Sequence, residues 1–359
     1  MIDTFGTKGE HAMLQTFFKK QNSKPKNQNG NGNGNSVIGN GKKMKNQIQN
    51  QKDISVIGNL LEMLKYKRPA NSVDVSLFIE MFIEPVCNKH GGFYDDANNY
   101  IVKIGDDTRV MFSSHTDTVH HTGGTQRLSI SNDYIKLQRD ETSNCLGADC
   151  TTGVWLMLEM IRANVTGLYI FHASEEVGGL GSSYLVKNHP ELVMGIDFCI
   201  AFDRKDITSI ISHQVGGRCC SDEFCASLIK QMPSGYKIDT TGTFTDSANY
   251  TDLIAECTNI SVGYYDQHTN KEVQSISHAV ILRETMLNFD ETKLVQKRIA
   301  GEIDADYWGH GYNSYKNYGL SNYNELYDFV RNNPDIVANF LDEQGYDLSY
   351  FGRDPYGMF

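Results

Sequence analysis

Along the middle of the chain, short apolar runs alternate with segments whose apolar residues recur at helical spacing. Val110–Ser114, Leu168–Ala173, Phe198–Phe202 and Ile260–Tyr264 read as buried strands, and Gly153–Arg162 reads as a helix. Upstream, Ile57, Leu60, Leu61 and Leu64 predict one helix. Val73–Val86 predicts a second, with Leu77, Phe78, Met81 and Phe82 as its apolar stripe. His90-Gly-Gly then breaks to a strand pair around Phe93 and Tyr100–Ile104. This alternation predicts an α/β fold of three layers, α/β/α, around a mostly parallel mixed sheet covered by helices on both faces.

The two ends depart from that pattern. Residues 22–52 are rich in Asn, Gly, Gln and Lys and have too little apolar surface to offset their ordering entropy. Residues 1–52 are therefore expected to be a basic arm and disordered linker, with a short helix over 8–20. Ser-Val-Ile-Gly-Asn occurs at 36–40 and again at 55–59, a local duplication and not a repeat architecture. Residues 53–295 are the expected catalytic domain. Residues 296–359 are expected to form an aromatic linker and a helical appendage near Asn324–Leu341, with Pro334 suited to the first turn of a second short helix.

Charge sharpens the division. Nine lysines against Asp3 and Glu10 give residues 1–52 a charge of +7, so the chain's −11 leaves −18 for the rest. An acidic body argues against nucleic acid as partner, and the arm lacks the aromatics that stack on bases. No apolar run approaches the ~18–20 residues that cross a bilayer, so no membrane partner is expected. The start, Met1-Ile-Asp-Thr-Phe-Gly, lacks the basic-then-apolar order of a secretory signal, and a cytoplasmic protein is expected. The eight cysteines have neither a disulfide-scaffold nor a zinc-ribbon spacing and are expected as free thiols.

Five segments at predicted strand or helix ends carry acids or imidazoles. They are Ser114-His115-Thr116-Asp117, Leu146-Gly147-Ala148-Asp149, Ser174-Glu175-Glu176-Val177-Gly178-Gly179, Ala201-Phe202-Asp203-Arg204 and Tyr264-Tyr265-Asp266-Gln267-His268. Ligands of open α/β sheets gather at the carboxyl ends of strands, so these points can converge on one crevice. Two histidines and three carboxylates can hold two divalent ions when one carboxylate bridges, about 3.5–4 Å apart as in other two-metal sites. Mixed nitrogen and oxygen donors favour zinc, with cobalt or manganese as substitutes. A further carboxylate must then move the water's proton, and another can orient a ligating imidazole.

In this order the motifs resemble the co-catalytic zinc exopeptidases, a group spanning zinc aminopeptidases, peptidase T, glutamate carboxypeptidase and the aminoacylases. The resemblance covers roughly residues 90–290. It implies that His115 and Asp203 hold one metal, that Glu176 and His268 hold the other, and that Asp149 bridges. It implies Glu175 as general base and Asp117 as the brace of His115. It also implies a cis peptide bond between Asp149 and Cys150, where the group usually has Asp or Asn in place of the cysteine. Gly178, Gly179 and Gly181 are read as the tight turn behind the acidic pair.

Only 64 residues separate Asp203 from His268, too few for the lid domain that peptidase T and the acylases insert there. A lidless exopeptidase acting on a peptide or acylated amino acid is expected, with an aminopeptidase slightly preferred. Loops near His120, Gln214–Cys220 and Thr240–Tyr250 are expected to shape its pocket. Asp197 and Asp206 compete with Asp203, and His213 and His278 with His268. Arg204 is expected to pair with an acid. Alternatives are an N-acyl amino acid deacylase, a single-zinc glutaminyl cyclase, or a non-catalytic protein on the same fold.

Overall fold

The computed structural model describes residues 52–301, 330 and 333–343. The expected helix at 8–20 and most of the two terminal segments lie outside them. The strands are, in chain order, β1 (Tyr66–Lys67), β2 (Phe93–Tyr94), β3 (Tyr100–Ile104), β4 (Val110–His115), β5 (Gly124–Thr125), β6 (Leu128–Ser131), β7 (Tyr134–Leu137), β8 (Gly167–His172), β9 (Phe198–Arg204), β10 (Ser209–Ile211), β11 (His213–Gln214), β12 (Gly217–Arg218), β13 (Lys237–Asp239), β14 (Glu256–Ser261), β15 (Tyr264–Tyr265) and β16 (Val273–Ser275). The helices are α1 (Gly58–Met63), α2 (Val73–Phe78), α3 (Glu84–Cys87), α4 (Ala148–Arg162), α5 (Leu180–Asn188), α6 (Asp222–Ile229), α7 (Ile276–Met286) and α8 (Pro334–Glu343).

One sheet of eight strands, ordered β13-β10-β14-β9-β4-β8-β3-β2, forms the middle layer of the expected α/β/α arrangement. Its central strands β14, β9, β4 and β8 run parallel, and antiparallel pairing begins at β3 on one side and β10 on the other. Every residue of β4, β8 and β14 is buried, and in β4 and β8 this is why the strand starts as an apolar run in place of an alternation. Helix α4 packs on β4 and β9, with α1, α3 and α7 against it. A second, antiparallel sheet, β15-β16-β7-β6, carries the segment leading to His268. No helix among the described residues is long and apolar enough to cross a membrane.

Two local expectations are corrected. The span Val73–Val86 is not one α-helix, because a π-turn at Ile79–Ile83 separates α2 from α3. Pro85 has no N–H to return to the preceding turn, and its ring crowds the carbonyl four residues back. Phe78 is buried and Phe82 partly so, but Leu77 and Met81 face solvent, and the buried side continues through Ile79, Ile83 and Val86. The strand placed at Ile260–Tyr264 is two strands. β14 begins at Glu256 and ends at Ser261, and Gly263 (φ +98°) turns the chain into β15.

Beyond residue 295, Lys297 and Arg298 donate their backbone N–H groups to the buried carboxylate of Glu256 at 2.7 and 2.8 Å.

Candidate metal centre

Parallel strands deliver three of the motifs to the same edge. His115 closes β4, Glu175 and Glu176 follow β8, and Asp203 sits near the end of β9. Asp149 lies in the first turn of α4, where Asp149 and Cys150 have non-helical dihedrals and are joined by a cis peptide bond. That bond is where the resemblance implied one. His268 arrives from the second sheet, just past β15.

All five converge. His115 Nε2 is 3.0 Å from Asp149 Oδ1 and 3.3 Å from Asp203 Oδ1. His268 Nε2 is 3.2 Å from Asp149 Oδ2 and 3.3 Å from Glu176 Oε2. The two oxygens of Asp149 thus face different imidazoles. Glu175 Oε2 lies 4.0 Å from His115 Nε2, beside the cluster. Two of the rivals lie elsewhere: Asp197 pairs with Arg109, and His278 bonds Tyr236 and Ser261.

The tautomer of His115 follows from its neighbours. Nδ1 donates to the Asp117 carbonyl at 3.0 Å, so in the neutral ring Nε2 turns a lone pair toward two carboxylates. Such an arrangement requires a positive charge between them. A proton supplies one: burial opposes the charged form of His115, but Asp203, Asp117 and Asp149 outweigh it and raise its pKa well above the ordinary value. A divalent ion supplies the other. Both nitrogens of His268, Glu176 Oε1 and Asp203 Oδ1 are buried without a hydrogen bond among the described residues, and such atoms are what metal coordination would satisfy. The donor set fits divalent ions held by oxygen and nitrogen. Cys150 is close enough to His115 and Asp203 to form a third such group. Its thiol, however, bonds the Phe202 carbonyl at 2.9 Å, and burial pushes its pKa well up, so it is a poor ligand.

Asp117 holds His115 by its main chain; its carboxylate is 3.6 Å from Nδ1. That carboxylate instead accepts the backbone N–H groups of Glu175 and Glu176 at 3.1 and 3.2 Å. It ties the acidic pair to the histidine strand. Burial, foremost, holds the Glu175 carboxyl well above the ordinary range, with the charge on His115 opposing. Behind the pair, Gly178 (φ +103°) and Gly179 (φ +63°) make the turn into α5.

Several supporting residues were not foreseen. Glu272 is buried and accepts the backbone N–H groups of Leu146, Gly147 and Asp149 at 2.8, 2.8 and 3.1 Å. Thr245 Oγ1 donates to Asp203 Oδ2 at 2.6 Å, and Tyr264 donates to the Asp203 carbonyl. Nothing in a single sequence marks Thr245. Glu272 stands four residues past His268, which is its sole local signal.

The cluster opens into a cleft of ≈ 480 Å³, continuous with solvent. Gln214 and residues 242–245 line it, as expected for those loops. His120 does not. It is buried behind Gly147, bonded to Thr118, Gln126 and the Cys145 carbonyl, and burial lowers its pKa to about 3. Cys219 and Cys220 are likewise core residues, and all eight cysteines are buried free thiols. Arg204 lies 3.7 Å from Asp239, the acid pairing expected of it.

No known protein-family model matches the sequence, and no curated protein matches it. Solved structures do. Aminopeptidase PepT from Bacillus cereus ATCC 10987 superposes with a TM-score of 0.50 at 15% identity, over 66% of this chain and 97% of that one. A tripeptidase from Staphylococcus aureus subsp. aureus Mu50 does so with a TM-score of 0.53 at 13% identity, over 66% and 96%. At these identities the likeness is one of fold, and it accords with the exopeptidase resemblance drawn from the motifs. The chain has the α/β fold on which that aminopeptidase and that tripeptidase are built.

Proposed function

We propose that the protein is a two-metal hydrolase that cleaves an amide bond in a peptide. The observation that carries this is Asp149, whose two oxygens approach His115 Nε2 at 3.0 Å and His268 Nε2 at 3.2 Å. One carboxylate thereby serves two imidazoles, each already beside a second acid. In this reading His115 and Asp203 hold one divalent ion, Glu176 and His268 the other, and Asp149 both. Zinc is the preferred metal, with cobalt or manganese able to replace it. When bound, such a pair acidifies a shared water and polarises the scissile carbonyl.

The chain's own residues do the rest. Glu175 stands just outside the five donors and accepts the water's proton, then passes it to the departing amine. Its burial keeps the carboxyl basic enough to take that proton. Asp117 sets the relative position of His115 and Glu175, since its carbonyl holds one and its carboxylate the backbone of the other. The aminopeptidase preference rests on the short span between Asp203 and His268, which does not itself select an end of the peptide. A cytoplasmic location, proposed on the same footing, agrees with eight cysteines left as free thiols.

The test compares zinc-loaded wild type with Glu175→Gln on dipeptides, tripeptides and N-acyl amino acids, alongside zinc analysis. Two zinc per chain in both proteins and a kcat about 10²–10⁴-fold lower in the variant support the reading. One zinc points to the cyclase chemistry. No zinc, or activity in Glu175→Gln within a few-fold of wild type, removes the reading.

A further inference from the structure

Two segments of the metal centre share a buried cation that neither of them carries. Arg68 follows β1 directly and is fully buried. Its backbone is tied to the chain just past Asp117: the Thr118 N–H donates to the Arg68 carbonyl at 2.8 Å, and the Arg68 N–H donates to Thr118 Oγ1 at 3.2 Å. The guanidinium then reaches three segments. Nε donates to the carbonyl of Thr116, between His115 and Asp117, at 2.8 Å. Nη2 donates to Thr151 Oγ1 at 2.7 Å, and Thr151 lies two residues past Asp149. Nη1 donates to the Tyr66 carbonyl at 3.0 Å. The Thr151 hydroxyl donates in turn to the Gly147 carbonyl.

Filling space here does not call for a charge. The guanidinium lies over the Phe78 ring, 3.9 Å from its centroid, a place where an apolar side chain would also pack. Its hydrogen-bond acceptors are all uncharged. Burial lowers the Arg68 pKa from 12.5 to about 10, with Asp117 opposing, so the group is cationic at neutral pH. What arginine alone offers is a rigid planar fork whose donors point in fixed directions. Two of its three acceptors belong to segments that carry ligand atoms of the metal centre. Glu272 meanwhile takes the N–H groups of Leu146, Gly147 and Asp149. The Leu146–Asp149 turn is thus held at its N–H groups by a buried anion and, through Thr151, at the Gly147 carbonyl by a buried cation.

We propose that Arg68 is a positioning residue of the metal centre, fixing His115 and Asp149 relative to each other before an ion arrives. His115 Nε2 and Asp149 Oδ1, 3.0 Å apart, are the pair it frames. The inference rests on the two-metal reading. The guanidinium acts on metal binding in two opposed ways. Its charge repels dications, and its fork holds their ligands in place. Its bonds end on the ligand segments themselves, and the fork outweighs the charge. The site therefore begins upstream of residues 90–290, where the motif resemblance lies.

Metal-free protein is titrated with zinc against a chelating dye, and cobalt-loaded protein is followed by its visible absorption. Arg68→Lys keeps the charge without the fork, and Arg68→Gln removes both. The fork predicts zinc binding about 10–100-fold weaker in each, with an altered cobalt spectrum. Charge alone predicts tighter binding in Arg68→Gln and no change in Arg68→Lys. Thr151→Val, close to threonine in shape, removes the acceptor and leaves Arg68 in place, so it decides the matter where an Arg68 variant fails to fold. Zinc binding weakens about ten-fold or more in Thr151→Val, and Thr151→Ser, which keeps the hydroxyl, stays within about two-fold of wild type. Tighter binding by Arg68→Gln, wild-type affinity in Arg68→Lys or Thr151→Val, or equal losses in Thr151→Ser and Thr151→Val overturns the inference and leaves the two-metal reading standing. A wild-type protein that binds no zinc removes that reading, and the inference with it.

Discussion

Replacing Glu272 tests whether the metal centre depends on a residue outside its donor set. Its carboxylate, buried to 1% exposure, holds three backbone N–H groups of the Leu146–Asp149 turn at 2.8, 2.8 and 3.1 Å. Bonds to a charged acceptor contribute about 1.5–3 kcal/mol each, but burying the carboxylate cancels much of that sum. Glu272→Ala removes the burial penalty along with the bonds and leaves three N–H groups without an acceptor, for a net loss of about 2–4 kcal/mol. Because one of those N–H groups is that of Asp149, the same change weakens zinc binding by about 10–100-fold. Glu272→Gln separates the two effects. Its single oxygen can take over Leu146 and Gly147 from Oε2, and its NH₂ then faces the Asp149 N–H, donor against donor. The amide therefore retains more stability than alanine and still loses zinc affinity. Urea unfolding in metal-free buffer and competition with a chelating dye measure the two quantities. If Glu272→Ala unfolds within about 0.5 kcal/mol of wild type, within the range of an ordinary surface change, the reasoning fails.

Three further outcomes are expected. A Cβ on Gly153 would lie 2.1 Å from the Phe202 carbonyl and 2.3 Å from Ser114 Oγ, so Gly153→Ala lowers unfolding stability by about 2–4 kcal/mol; an unchanged urea midpoint contradicts the close packing of α4 on β4 and β9. Burial holds His120 and His172 down to about 3 and His278 to about 4, against an ordinary 6.5. The folded values are depressed, so the unfolded chain gains protons first as pH falls: stability is full above 6.5 and declines toward pH 4, by about 1.4 kcal/mol per pH unit for each histidine. Urea midpoints from pH 7.5 to 5 should flatten by one proton in His278→Gln, and an unaltered slope counts against it. Zinc at about 100 times its Kd adds about 2.7 kcal/mol, or about 5–10 °C in melting temperature, by relieving repulsion among the four acids. Asp149→Asn should abolish most of that rise in a thermal melt, and a full rise in the variant argues that Asp149 holds no metal.

What the sequence alone determined is local and additive. Unbroken apolar runs announced buried strands such as β4 and β8, and acids or imidazoles immediately after them marked which side chains can meet, since a parallel sheet brings its carboxyl ends to one edge. Helical period over Val73–Val86 was legible, yet the exposed side of Met81 was not, because it lies within the π-turn at Ile79–Ile83, where the residue spacing departs from the α-helical one. Tertiary structure decided the quantities that depend on register and on distant partners. The slip between Asn259 and Ser261 puts Arg204 in the cleft beside Asp203, and no pattern within Ala201–Arg204 encodes a bulge set by another strand. Asp117 holds His115 by its carbonyl and the Glu175 backbone by its carboxylate, a division of labour set by distances of a few tenths of an ångström. Residue identity fixes what a group can donate or accept; where it donates or accepts is settled when segments far apart in the chain compete for the same space.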